Sequence, residues 1–165
     1  MIFETADFLF TYQKQIESHN DLNLVIFGNK LFTNQLHRLN HEASDTRWFN
    51  NIFIETPETI GGLISENNNI FEYERGFGYW IWKPYIILNR LKKMKDGDIL
   101  VYLDAGSSII NNDKEKNKYI DILNTGNKSI ITFSCNSYKE KQFQKNKVLK
   151  YFCLMDDNHF LNYLI

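Results

Sequence analysis

The sequence has little cysteine, almost no net charge and no long apolar run. Its two cysteines, Cys135 and Cys153, lie in apolar-flanked segments without metal-ligand spacing, so we interpret both as buried thiols in a reducing compartment. The formal net charge of -1 disfavours nucleic-acid binding, because such domains usually carry a marked excess of Lys and Arg. No segment approaches the roughly 20 apolar residues of a membrane helix. We therefore expect neither nucleic-acid binding nor membrane insertion.

The length predicts one domain. The chain has 165 residues, of which 43% are hydrophobic and 15% aromatic. This apolar content is sufficient for one hydrophobic core, and the chain is too short for two ordinary domains. We expect a single domain over residues 1–165. The first ten residues carry Glu4 and Asp7, where a secretion signal has positive charge. The expected location is the cytoplasm, or the host cytosol or virion if the protein is viral.

Predicted helices and strands alternate along the chain. Short runs of β-branched and aromatic residues predict strands at Asn23–Phe27, Asn51–Glu55, Asp98–Leu103 and Ser129–Phe133. Apolar spacing and capping residues predict helices at residues 4–18, 31–43, 84–94 and 113–123, a short one after Pro57 that Gly61 and Gly62 interrupt, and a last one from about Asp156. This alternation predicts an α/β fold with a largely parallel sheet, which binds ligands at the carboxyl ends of its strands.

Asp104 is the strongest candidate for a functional residue. It follows the apolar run of the clearest predicted strand, which would hold its carboxylate on a rigid element at the edge of the sheet. Gly106, two positions later, would let a ligand or metal approach the backbone. The alternative interpretation is an ordinary turn at Asp104-Ala105-Gly106, in which the aspartate bonds its own backbone.

The run from Arg75 to Ile87 is the context for Asp104. Two glycines, four aromatic residues and two cations precede Pro84 and its predicted helix. The amino end of a helix exposes unpaired N–H groups, and Lys83 beside them would complete a diphosphate site. The aromatic residues either stack on a base or sugar or fill the core. The four are Phe77, Tyr79, Trp80 and Trp82.

These motifs resemble a known family. GFGYWIWKPYIIL followed by DGDILVYLDAG resembles GT-A-type glycosyltransferases of bacterial polysaccharide clusters and large DNA viruses, and VIFGNKLFTNQLHRLNHEA followed by WFNNIFIET is similar to the beginning of the same family. The resemblance covers about residues 23–135. It implies a Rossmann-like three-layer α/β/α sandwich that binds a nucleotide sugar. The acceptor-binding half typical of the family is not expected within these residues.

The resemblance implies roles for individual residues. Asp104 and Lys83 would be catalytic, with Lys83 near the diphosphate and Asp104 at the ribose and a Mn²⁺ or Mg²⁺ ion. Gly106 stands where the family's DXD motif has its second acid, so metal-independent transfer is equally open. The residues expected to contact the nucleotide sugar are Phe27, Gly28, Asn29, Arg75, Tyr79, Trp82, Lys83, Asp104, Ala105 and Gly106.

The expected function is sugar transfer in glycan synthesis. The donor would be a nucleoside diphosphate sugar, with UDP favoured, and the acceptor a hydroxyl group. One alternative is a catalytically incomplete domain that binds a nucleotide sugar or glycan without turnover. A second is a Rossmann-like methyltransferase or dehydrogenase, which is disfavoured because Gly28-Asn29-Lys30 after the first strand lacks the glycine-rich cofactor fingerprint.

Overall fold

A computed structural model describes residues 8–11, 21–125 and 130–132. Its strands are β1 (Phe8–Thr11), β2 (Leu22–Phe27), β3 (Asn51–Glu55), β4 (Ile99–Asp104) and β5 (Ile130–Thr132). Its helices are α1 (Thr33–Thr46), α2 (Gly61–Glu66), α3 (Asn68–Phe71), α4 (Gly76–Tyr79), α5 (Trp82–Leu91) and α6 (Asp113–Thr125), and a 3-10 turn (Lys30–Phe32) precedes α1. Within those ranges, no helix is both long enough and apolar enough to cross a membrane.

The five strands form one sheet in the order β3-β2-β4-β1-β5. Strand β2 pairs in parallel with β3 and with β4, whereas β1 pairs antiparallel with β4 and with β5. The α/β class is thus confirmed, but only β3, β2 and β4 form the expected parallel sheet. The register aligns Phe27 with Glu55 on one side and with Asp104 on the other. The carboxyl ends of these three strands therefore lie together at one edge.

The helix predicted over residues 4–18 was wrong at residues 8–11, which form β1. The apolar spacing there is only roughly helical, and both edges of this segment pair with other strands. Such non-local pairing overrides a weak local pattern. The sequence pattern does not predict this antiparallel strand, and the sheet is mixed because of it. The last helix expected from about Asp156 lies outside the described residues.

Most other elements agree with the sequence patterns to within a few residues. Helix α5 begins at Trp82 rather than at Pro84, so the proline occupies the first turn, where its missing N–H costs no helical bond. Gly61 and Gly62 open α2 instead of interrupting a helix. An added Cβ at either glycine would have no heavy atom within 4 Å.

Apolar helix faces cover both sides of the sheet. One core cluster joins alternate residues of β2 and β4 to α1 and α6, among them Leu24, Val101, Leu39 and Leu123. The other joins the intervening strand residues to α5, among them Val25, Phe27, Tyr102, Trp82 and Ile86. Because strand side chains alternate between faces, one continuous apolar run can supply both clusters. This double burial holds the carboxyl edge of β2 and β4 rigidly.

Candidate functional site

Asp104 and Lys83 meet at the carboxyl edge of β4. Asp104 is the last residue of that strand, and its Oδ2 lies 2.7 Å from Lys83 Nζ. The Tyr102 hydroxyl donates a hydrogen bond to the other carboxylate oxygen, Oδ1. The side chains of Lys83 and Asp104 are 17% and 26% exposed, so the pair is held by the protein and still open to solvent. The sequence predicted both residues as catalytic, and the structure brings them together.

Lys83 owes its position to α5 and to two aromatic rings. It is the second residue of α5, close to the positive end of the helix macrodipole. Its ammonium lies 5.8 Å from the centroid of the Trp82 ring and 5.4 Å from that of Tyr102, within the range of cation–π attraction. A helix amino end and a fixed ammonium therefore face the same edge, an arrangement that favours anionic ligands.

Phe27 and Trp82 belong to the core. Their ring centroids lie 3.8 Å apart in a stacked arrangement, and the two residues are only 4% and 5% exposed. The indole N–H of Trp82 donates to the carbonyl of Gly76 at 3.1 Å. Each ring thus packs against the other, which fits the core-filling interpretation of these two aromatic residues better than stacking on a base.

Gly28 and Asn29 do lie at the carboxyl edge, directly after β2. The N–H of Gly28 donates to the carbonyl of Glu55 at 3.2 Å, which extends the pairing with β3. Asn29 Oδ1 accepts from the N–H of Leu31 at 3.0 Å and caps the 3-10 turn. Both residues lie at the strand end where the resemblance implies contacts with the nucleotide sugar, while their polar groups stabilise the loop.

Arg75 and Tyr79 lie among exposed aromatic side chains. The guanidinium of Arg75 is 6.0 Å from the centroid of the Trp80 ring, and the Tyr79 ring is 5.0 Å from that of Tyr73. Tyr73, Tyr79 and Trp80, here called the aromatic surface, are 53%, 49% and 42% exposed. The sequence grouped Arg75 and Tyr79 with Lys83, and the structure packs them on this surface.

The segment Asp104-Ala105-Gly106 is also a turn. The N–H of Ser107 donates to the carbonyl of Asp104 at 2.9 Å. An added Cβ at Gly106 would find no heavy atom within 4 Å, so Gly106 borders open space. The turn leaves Gly106 exposed, and the carboxylate of Asp104 accepts hydrogen bonds from Lys83 and Tyr102.

Arg38 of α1 holds the loop that follows Asp104. Its Nη2 donates to the carbonyl of Ser107 at 2.8 Å and to that of Ala105 at 3.4 Å, and its Nη1 donates to Ser108 Oγ at 2.8 Å. Arg38 also pairs with Glu42 at 2.6 Å. The forked guanidinium suits such simultaneous bonds. Several donors thus fix the loop in one conformation.

Glu42 completes this anchor. Its Oε2 accepts a hydrogen bond from the N–H of Ile109 at 2.9 Å. Side chains of α1 therefore bind the loop at its beginning, through Ala105, and at its end, through Ile109. Arg38 and Glu42 both lie on α1. Their opposite charges four residues apart predict a helical ion pair. That local spacing does not predict the hydrogen bond between Arg38 and Ser108, which lie 70 positions apart in the chain.

Another ion pair lies at the end of β3. Glu55 is 7% exposed and accepts two hydrogen bonds from the Arg90 guanidinium, of which the bond from Nε is 3.0 Å long. The same guanidinium stacks on Phe53 at 3.8 Å from the ring centroid. A buried carboxylate needs such a partner. This pair joins β3 to α5 and was not anticipated from the sequence.

The residues at Asp104 do not fit a tightly held divalent metal. Mn²⁺ and Mg²⁺ prefer several oxygen ligands, whereas both oxygens of Asp104 are engaged by Lys83 and Tyr102. Ala105 and Gly106 contribute no side-chain oxygen. Among residues 21–125, no group of three or more His, Cys, Asp or Glu side chains could hold a metal ion. At the carboxyl edge of β4, the ammonium of Lys83 supplies the positive charge next to Asp104 in place of a metal ion.

Comparison with known proteins gives no match. No protein-family model, no curated protein and no solved structure is similar to this chain. The functional interpretation therefore rests on the geometry of the carboxyl edge and on the sequence motifs that form it.

Proposed function

We propose that this chain binds a nucleoside diphosphate sugar, with UDP as the favoured nucleotide, and transfers the sugar to a hydroxyl group of a glycan. The donor would lie at the carboxyl edge of β2 and β4, and its diphosphate would face the amino end of α5. Two observations support this proposal: the motif resemblance and the arrangement of Lys83 and Asp104.

The observation that carries the proposal is the ion pair of Lys83 and Asp104. These residues are 21 positions apart, and their side-chain atoms lie 2.7 Å apart at a strand end. Ligands of parallel α/β sheets bind at this edge, and Lys83 lies in the first turn of α5, where anions are favoured. The pair is also partly exposed. A fixed cation beside an accessible carboxylate suits a diphosphate together with a polyhydroxylated ribose.

The chemistry follows from these two groups. The acceptor oxygen forms a bond to the anomeric carbon, while the bond from that carbon to the diphosphate oxygen breaks and its electron pair leaves with the nucleotide. The acceptor proton passes to a base or to water. Lys83 stabilises the negative charge that grows on the leaving diphosphate. In the complex, Asp104 accepts hydrogen bonds from the ribose hydroxyls, and Lys83 turns from Asp104 to the phosphates.

Calorimetric titration with UDP, GDP and their sugar conjugates, with and without Mn²⁺, tests the proposal. We expect UDP and a UDP-sugar to bind, and Asp104→Asn to weaken that binding. Asp96→Asn is the matched control, since Asp96 is exposed in the loop before β4. A dinucleotide and S-adenosylmethionine test the rival enzyme classes. If the folded chain bound none of the UDP or GDP ligands, the proposal would be rejected.

A binding domain without turnover is the second candidate. Gly106 in place of a second acid and the engagement of both Asp104 oxygens favour it. Hydrolysis of a bound UDP-sugar, measured as UDP release, distinguishes the two. Slow release that Asp104→Asn abolishes would support catalysis, whereas tight binding without release would support the binding domain.

A further inference from the structure

The aromatic surface exposes three large rings next to charged groups. Tyr73, Tyr79 and Trp80 are each at least 42% exposed, and the neighbouring Glu72, Glu74 and Arg75 are exposed as well. Two carboxylates and one guanidinium leave this surface with a net charge of one negative unit. Aromatic residues at this exposure form a patch of the kind that marks interaction sites.

The backbone beneath these rings has an unusual conformation. Five consecutive residues, Gly76 to Trp80, have positive φ angles of 60°, 48°, 77°, 51° and 60°, which makes α4 a left-handed turn. Each residue other than glycine costs about 1–2 kcal/mol in this conformation. Strain of this kind persists where the surroundings over-determine it and is concentrated at functional sites.

The left-handed turn connects the aromatic surface to α5. The carbonyl of Trp80 accepts from the N–H of Lys83 at 3.0 Å, and the carbonyl of Gly76 accepts from the Trp82 indole at 3.1 Å. Trp82 is in turn buried against Phe27. The exposed rings are therefore anchored directly beside the amino end of the helix that carries Lys83.

We propose that the aromatic surface binds the acceptor as an oligosaccharide, an inference that rests on the proposed function. The C–H groups on the face of a sugar ring pack against the negative face of an aromatic ring. Carboxylates and a guanidinium at the rim accept and donate hydrogen bonds to the sugar hydroxyls. Glu72, Glu74 and Arg75 supply these groups beside the three rings.

The charges favour this ligand over two others. The excess of one negative unit at Glu72, Glu74 and Arg75 favours a neutral ligand at these side chains over a diphosphate or a nucleic-acid backbone, so the acceptor is expected here and the diphosphate at Lys83. Acidic residues are depleted in the cores of protein interfaces, and here two of them flank Tyr73 in the chain. With three exposed rings, the surface offers more than one stacking partner, which suits a ligand of several sugar units.

Titration of the full chain with a panel of neutral hexasaccharides tests this inference. The panel contains glucose, mannose, galactose and N-acetylglucosamine polymers, and calorimetry reports binding, since the test variant removes the exposed tryptophan of this surface. The test variant combines Tyr73→Ala with Trp80→Asn, since asparagine tolerates a left-handed backbone. We expect at least one hexasaccharide to bind and the variant to weaken it by about tenfold or more, the scale of lost stacking on an aromatic ring.

Controls separate this inference from the proposed donor site. Phe32→Ala removes an aromatic residue that is 45% exposed outside the aromatic surface and should leave hexasaccharide binding unchanged. Titration with UDP should be the same in the double variant and in the wild type. UDP binding without any hexasaccharide binding, or hexasaccharide binding that the double variant retains, would overturn the inference alone. Hexasaccharide binding without UDP binding would count against the donor site and leave the aromatic surface supported.

Discussion

The ammonium of Lys83 lies 2.7 Å from Asp104 Oδ2 and joins the first turn of α5 to the carboxyl end of β4. Neither charge could be held so near the edge of the sheet without a partner, because both side chains are largely withdrawn from water. The pair thus holds both groups in position before a ligand arrives. A donor that offers phosphates to one group and hydroxyls to the other can take over both sets of bonds.

Lys83→Met should lower the rate of UDP release from a UDP-sugar by about 10²–10³-fold, the usual effect of removing one group that stabilises a developing charge. Lys83→Arg should recover part of the rate, since it keeps the positive charge. Lys92→Met alters an exposed lysine at the other end of α5 and should leave the rate unchanged. Equal rates in the wild type and in a folded Lys83→Met protein would remove Lys83 from the mechanism.

Arg38→Ala should destabilise the loop after Asp104 by about 1–3 kcal/mol, because the carbonyl of the buried Ser107 loses a charged donor. Urea denaturation measures this loss, and amide hydrogen exchange at Ile109 should accelerate as the loop loosens. Arg38→Lys should recover little, since an ammonium cannot reproduce the forked contacts. His37→Ala on the exposed side of α1 is the control. If Arg38→Ala left both stability and exchange unchanged, the contacts to the loop would be energetically unimportant.

Gly78→Ala should destabilise the protein, whereas Gly62→Ala should not. At Gly78, φ is 77° and an added Cβ would lie 2.9 Å from Phe71 Cδ1. The expected cost is about 1–2 kcal/mol for the left-handed backbone and about 1–3 kcal/mol for overpacking. At Gly62, in helix α2, the added Cβ would meet open space, and alanine should stabilise by about 0.5–1 kcal/mol. Thermal denaturation of both variants compares them, and equal stability would contradict the left-handed turn.

Asp113 should remain ionised to lower pH than an ordinary aspartate. Hydrogen bonds from Lys116 and from the Trp48 indole hold the pKa of its carboxyl below the usual range. Because the folded-state pKa is depressed, the stabilisation is complete above the unfolded pKa and is lost as the pH falls through the folded pKa. Lys116→Met should raise the pKa of Asp113, while Lys114→Met should not. Carboxyl NMR titration measures both shifts, and an unchanged pKa in Lys116→Met would refute this account.

The sequence alone was sufficient for most of the fold near the site. The strand predicted at Asn51–Glu55 is β3 residue for residue, and the strand before Asp104 differs from β4 by one position at each end. These elements are set by short apolar runs and turn residues, which act locally. The same local signals placed Lys83 beside the start of a helix and Asp104 at the end of a strand, whereas the contact between the two side chains is seen only in the structure.

Tertiary structure alone decided the remaining features. Residues 8–11 form a strand because β4 and β5 offer hydrogen bonds on both sides, and no local pattern contains that information. Arg38 contacts the carbonyl of Ser107, which lies 69 positions away in the chain. The five positive φ angles from Gly76 to Trp80 accompany the packing of Trp82 and Phe77 against Phe27. The sequence determined which residues could form elements, whereas packing decided which side chains are buried, which are paired and which are exposed, because those outcomes depend on contacts between residues far apart in the chain.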